Sequence, residues 1–196
     1  MNHVGTIVVE TERLILRRFK NDDAKQMFEN YASREVVTEF LSWLPHTDIS
    51  QTREYLSNIV VPAYENIETY RWAIELKSNN QLIGCIDVVK SRDDKKQAEL
   101  GWVLSNDYWG KGLMPEAANA VLLLLFKIGY ARVHAVHNVD NPKSGRVMQK
   151  IGMEFEGILR KYHKNNKGEL IDVAMYSIIK EENVWERKKQ GVIWLM

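Results

Sequence analysis

The nine residues Tyr108-Trp109-Gly110-Lys111-Gly112-Leu113-Met114-Pro115-Glu116 carry the clearest chemistry in this chain: a glycine-rich turn running straight into an apolar helix. Gly110 and Gly112 can take positive φ and let backbone approach a ligand. Pro115 suits a first helical turn, where its missing N–H costs nothing. The free amides of that turn, with the positive end of the helix dipole, form a site for an anion such as a pyrophosphate. Two nucleotide-binding patterns do not fit. A P-loop needs Gly-x-x-x-x-Gly-Lys-Ser/Thr, whereas Lys111 lies between the glycines and no Ser or Thr follows to hold magnesium. A dinucleotide site needs Gly-x-Gly-x-x-Gly, and Pro115 stands where the third glycine belongs.

Such a turn must be mounted on regular elements. Residues 98–104 read as a strand, the helix covers about 114–128 and ends at Gly129, and 132–136 alternates as a second strand. Together they predict a βαβ unit with the turn at its carboxyl edge, where open sheets bind ligands. Upstream, 14–16 reads as a first strand, and Asn21-Asp22-Asp23 offers N-caps for a helix to about Ala32. Asp48 or Ser50 caps a second helix to Tyr64, which Pro62 should kink or end. Residues 71–76 and 82–89 flank Ser78-Asn79-Asn80 as a hairpin. Downstream, Asn141-Pro142 opens a short helix ending near Gly152, and strands at 154–160 and 172–179 enclose the polar turn 165–168. The order predicts an α/β fold with a mixed, mostly antiparallel central sheet flanked by helices.

Length and composition fit one domain of 196 residues, with a core at about 8–180 and a tail at 181–196. Lys plus Arg (27) nearly balance Asp plus Glu (26), so nothing global draws the chain to nucleic acid or to an anionic membrane, and an anion must be captured locally. Cys85 is the only cysteine, read as a buried small hydrophobe, which leaves neither a disulfide nor a cysteine metal site. The longest apolar run, 121–126, is too short to span a bilayer, and no signal-peptide core is present, so a cytoplasmic location is expected. The tail, with Trp185, Trp194 and the closing Val192-Ile193-Trp194-Leu195-Met196, is expected to pack on the domain or on a second subunit of a homodimer.

Beyond the turn, a series of short motifs resembles the GCN5-related N-acetyltransferases, and within them the ribosomal-protein N-terminal acetyltransferases. The motifs are Thr11-Glu12-Arg13-Leu14-Ile15-Leu16-Arg17, Trp72-Ala73-Ile74, Leu82-Ile83-Gly84 and Ala98-Glu99-Leu100-Gly101-Trp102. The turn with Glu116-Ala117, then Asn141-Pro142-Lys143-Ser144, Lys150-Ile151-Gly152-Met153 and Glu156-Gly157 complete the series. The family's Gln/Arg-x-x-Gly-x-Gly/Ala signature aligns with Trp109-Gly110-Lys111-Gly112-Leu113-Met114, departing from it at Trp109 and at the bulkier Met114. The resemblance implies acetyl-coenzyme A as co-substrate and no metal. It also implies direct attack of an amine within a ternary complex, aided by backbone N–H donors along Trp102, Val103 and Leu104.

The same resemblance suggests the chemical roles. Glu99 matches a position where relatives carry a base, and a solvated strand glutamate is the equal alternative. His163 falls near a base of some ribosomal-protein enzymes, with an imidazole suited to proton relay, although a lone His beside a loop is more often a surface residue. Asn141 and Ser144 match an Asn-x-x-Ser element in which the Asn contacts the pantetheine and the Ser protonates the departing thiolate. Asn141 is equally a good N-cap. Lys111, Lys143, Arg146 and Lys150 are within reach of coenzyme A phosphates, with Lys111 and Arg146 preferred. Trp43 and Leu44 match an acceptor wall, and core packing accounts for Trp43 equally well. The acceptor is expected to be an amine, first a protein N-terminus and otherwise a small molecule such as an antibiotic, polyamine or amino acid. A non-catalytic acyl-coenzyme A binding module is the rival of a different class.

Overall fold

A computed structural model describes residues 1–182 together with the strand Ile193–Leu195. One nine-stranded sheet organises the molecule, in the order β7-β8-β6-β5-β4-β3-β2-β1-β9. Its strands are β1 (Val8–Glu10), β2 (Leu14–Arg17), β3 (Arg71–Leu76), β4 (Gln81–Arg92), β5 (Gln97–Leu104), β6 (Arg132–Asn138), β7 (Glu154–Lys164), β8 (Leu170–Ile179) and β9 (Ile193–Leu195). Every pairing is antiparallel except β5 with β6. The expected mixed, mostly antiparallel sheet is therefore present.

Helices cover both faces. Helix α1 (Ala24–Met27) continues through a π turn at Phe28–Ala32, and α2 (Glu35–Thr38) follows. Helix α3 (Ile49–Tyr55) runs through a second π turn, Leu56–Val60, into α4 (Val61–Ala63). These pack on one face around Tyr31, Leu56, Val60, Ala73, Leu82 and Val103. Helix α5 (Leu113–Ile128) lies on the other face, its Ala117, Val121, Leu124 and Leu125 packed against Leu16, Trp72, Ile74, Ile83, Leu100 and Val133. Helix α6 (Pro142–Lys150) follows β6.

Local details refine three expectations. Asp23, one of the three candidates, is the N-cap residue of α1, but its side chain does not bond the first turn of that helix; its Oδ2 accepts instead from Lys20 N at 2.8 Å and closes the 3-10 turn Asn21–Asp23 that leads into it. Pro62 stands one residue before the helix end, close to where it is expected to end it. The wide turn at 56–60 precedes it and makes room for a ring that would otherwise meet the carbonyl four residues back, and the helix closes one residue after it, at Ala63. The strands β1 and β9 and the single-turn α2 add to the predicted order. The Ile193–Leu195 part of the tail pairs with β1 of its own chain, and Trp185 lies outside the described residues.

Candidate active site

The sheet forks at one place. Strands β5 and β6 pair in parallel only at Gln97–Arg132, Ala98–Val133 and Glu99–His134, yet β5 continues to Leu104 and β6 to Asn138. The backbone edges beyond Glu99 and His134 thus face a gap, and a cleft of about 760 Å³ opens there. Ser105 donates its N–H to Ile83 O on β4. Alternation along β5 then turns the N–H groups of Trp102 and Leu104 towards the gap. Leu104 O on that same edge accepts from Trp109 Nε1 at 2.8 Å, which fixes the glycine turn to the strand end.

The turn itself has the backbone its sequence calls for. Gly110 and Gly112 sit at φ of 77° and 75°, and Gly112 is the N-cap of α5, so the first-turn amides of Leu113 and Met114 point out of the helix end. The N-terminal motif acts on this turn from behind. Glu116 accepts from Thr11 Oγ1 at 2.6 Å and from Arg13 N at 2.9 Å, pairs with the Arg13 guanidinium, and Arg13 Nη1 donates to Lys111 O at 3.0 Å. Met114 is 3% exposed and packs into the core, so its bulk lies beneath the turn.

Glu99, Ser144 and His163 all line this cleft, as do Trp102, Val103, Leu104, Trp109, Gly110, Gly112, Leu113, Met114, Asn141 and Arg146. Lys111 is placed elsewhere, its Nζ 5.1 Å from the Tyr108 ring centroid. Lys143 and Lys150 join Arg146 on the wall, and Lys143 Nζ lies 4.0 Å from the centroid of the Trp109 ring across the mouth. Asn141 caps α6 by accepting from Ser144 N at 3.3 Å, which also fixes the start of the helix that carries Ser144. Trp43 packs against the α1–α4 core with its ring 5.5 Å from that of His46, and Leu44 is exposed; Phe40, Leu41 and Ser42 form the cleft wall in their place.

Glu99 is only 4% exposed, with the face alternation of β5 turning it away from α5. The His134 imidazole, its Nε2 3.4 Å from Glu99 Oε2, holds the carboxyl below its usual range against the opposing effect of burial, and the charges of His163 and Lys90 act with it. His163 reaches the cleft through an irregular stretch of β7: the register jumps between Leu159 and His163, Lys161 takes φ 49°, and Lys161 N donates to Asp172 Oδ1 at 2.8 Å. Asn166 Nδ2 donates to Thr38 O at 3.0 Å, so the tip of the β7–β8 hairpin is tied to α2.

His134 was absent from the sequence-selected residues. Its signal is the alternation Arg132-Val133-His134-Ala135-Val136 combined with the parallel register, which sets it opposite Glu99. Cys85 is half-buried, and burial pushes its thiol up to about 12, which leaves it unreactive near neutrality. Among the described residues, no three His, Cys, Asp or Glu side chains converge in a metal set, and no helix is long and apolar enough to cross a membrane.

Known proteins share this fold. The family model of the acetyltransferase (GNAT) domain matches residues 13–154. The chain belongs to the GNAT family. It is 32% identical over 173 residues to p20 of Bacillus licheniformis, an uncharacterised N-acetyltransferase, covering 88% of this chain and 96% of that one. A GNAT-family acetyltransferase from Bacillus anthracis superposes with a TM-score of 0.76 at 30% identity, covering 90% of this chain and all (100%) of that one. RimL, a ribosomal L7/L12 alpha-N-protein acetyltransferase solved with coenzyme A, shares the fold at a TM-score of 0.74 and 20% identity, over 88% and 97% of the two chains. This GNAT protein is accordingly an acetyl-coenzyme A dependent N-acetyltransferase.

Proposed function

We propose that the enzyme acetylates a primary amine by direct attack in a ternary complex, and that the amine is the N-terminus of a protein. The observation that supports this most strongly is the fork itself: Glu99 at its base, the Trp102 and Leu104 amides along one edge, and Ser144 on the opposite wall share one cleft. The residues fit the co-substrate. The glycine turn offers amides and the helix dipole to a pyrophosphate, with Lys143, Arg146 and Lys150 beside it. Bound acetyl-coenzyme A supplies an activated thioester. Glu99 takes a proton from the acceptor ammonium, directly or through one water, and the free amine forms the new C–N bond. The Trp102 and Leu104 amides receive the carbonyl oxygen as its charge grows. Ser144 donates a proton to the sulfur as the C–S bond breaks, and the proton shed by the newly acylated nitrogen restores the Ser144 hydroxyl through solvent. His163 stands on the acceptor side as a second proton carrier.

RimL acts on a protein N-terminus and has this fold, which suggests the acceptor. One feature favours a small amine instead: the Asn166–Thr38 bond ties the β7–β8 tip to α2, and Val36, Val37 and His163 from these two elements line the cleft, which would limit the room for a polypeptide. Purified enzyme assayed with free and N-blocked peptides and with small amines separates the two. Turnover of free peptides alone is expected. Failure of every peptide with turnover of a small amine overturns the protein acceptor.

A further inference from the structure

The fork holds a second imidazole that the proposed reaction leaves without a task. His134 faces Glu99 at the last β5–β6 pair before the strands part, with side-chain exposures of 17% and 5%. On its other side β6 stays paired with β8, His134 opposite Ser177, so the imidazole is mounted on a strand held from both directions at that point. Its Nδ1 is buried and has no hydrogen-bond partner. The charged groups around the pair have other engagements or lie further off. Glu156 on β7 is taken by Arg132 and the Ser177 hydroxyl. Lys90 on β4 and His163 on β7 act on Glu99 through charge alone, and Glu39 lines the cleft from beyond α2.

We propose that His134 is a positioning residue: it donates its Nε2–H to Glu99 Oε2 and thereby turns the other carboxylate oxygen to the acceptor amine. The inference rests on the reading of Glu99 as the base. A proton on Nδ1 would be a buried donor with no acceptor, whereas a proton on Nε2 meets a carboxylate and leaves only a lone pair at Nδ1. A carboxylate without a lateral partner is not held to one orientation about its last torsion, and a donor fixed to one oxygen presents the other in a single direction. Proton transfer depends on such alignment. The same donor favours the anion, which keeps Glu99 unprotonated between turnovers.

The test uses the full-length enzyme with ¹³C-labelled glutamate carboxyls, Glu99→Gln identifying the Glu99 signal. In His134→Leu, Glu99 is expected to titrate at higher pH, because its main anion-stabilising contact is gone and burial remains. Since a general base is worth roughly 10²–10⁴-fold, loss of its alignment should lower kcat about tenfold or more, with KM for acetyl-coenzyme A unchanged. His134→Gln keeps an N–H donor of similar reach and should recover part of both losses, while ¹⁵N spectra of the unsubstituted enzyme should show the Nε2–H tautomer. An unmoved Glu99 titration, a Gln variant no better than Leu, or an Nδ1–H tautomer overturns the proposal. Should His134→Leu fail to fold, the tautomer and the Gln variant decide. If Glu99→Gln leaves kcat unchanged, the base reading falls, and the carboxyl titrations still judge the His134 contact separately.

Discussion

Two carboxylates on the same face of the sheet, Asp87 and Glu99, differ in their partners and hence in their use. Gly101 lies between them: it pairs with Asp87 across β4 and β5, and a Cβ there would meet Val89 Cγ1 at 2.8 Å and Asp87 Oδ1 at 3.3 Å. Asp87 Oδ2 accepts from Arg71 Nε at 3.0 Å and Nη2 at 2.8 Å, and Arg71 also donates to Tyr55 OH at 3.0 Å. Burial nevertheless pushes the Asp87 carboxyl up, with Arg71 pulling the other way. For Glu99 the balance reverses, since the His134 contact outweighs burial. Asp87 is bound to a permanent cation away from the cleft wall, and Glu99 has one imidazole and opens on the cleft. Glu99 is the less exposed of the two, 5% against 13% for the side chains, so on the proposed reading it is the partner and the neighbouring gap, and not exposure, that separate a structural carboxylate from one available to substrate.

The largest effect that would break this contrast is on catalysis. Glu99→Gln should lower kcat by roughly 10²–10⁴-fold, the range for a lost general base, with calorimetric affinity for acetyl-coenzyme A and the melting temperature close to those of the parent enzyme. Asp87→Asn should do the opposite. It leaves Arg71 facing a neutral amide and should cost about 1–3 kcal/mol of stability in urea unfolding, with kcat in the surviving folded enzyme near that of the parent. If Asp87→Asn instead removes activity without loss of stability, the two roles have been assigned the wrong way round.

The smallest effect concerns Glu156, a more exposed carboxylate paired with an arginine. Its bond to Arg132 pulls the carboxyl from 4.5 down to about 2, aided by Ser177. A depressed folded value means the pair stabilises the fold above the unfolded value and loses that contribution as pH falls from about 4.5 towards about 2. The gap in melting temperature between the parent and Glu156→Gln should therefore be visible at neutral pH and shrink through that window; a gap that stays constant contradicts the pairing.

Much of this was legible in the chain because local rules decided it. The α5 boundary came from Gly112 and Gly129, both at positive φ, and the β3–β4 and β7–β8 hairpins from polar turns between apolar runs. The strand β1 has three residues and α2 has four, including the β-branched pair Val36-Val37, so neither shows a period long enough to read. The elements under Glu99 and Ser144 were legible, whereas His163, expected after a strand ending at Arg160, lies within β7, which runs on to Lys164 past an irregular register; the convergence of all three depends on long-range register. His134 stayed hidden for that reason: nothing local to 132–138 says that β5 and β6 part after that residue. Lys111 shows the converse, because a basic residue inside a glycine-rich turn contributes its backbone carbonyl to Arg13 while its side chain turns to Tyr108.

The central claim is that acetyl transfer takes place in the β5–β6 fork with Glu99 serving the acceptor. Its most direct test is a structure of the enzyme bound to a conjugate joining the sulfur of coenzyme A, through an acetyl bridge, to an amine the enzyme turns over. The account predicts the bridge in the gap beyond Glu99 and His134, and the amine nitrogen within a hydrogen bond or a single water of the Glu99 carboxylate. An amine nitrogen out of reach of Glu99 by either route, or a bridge outside the gap, would contradict it.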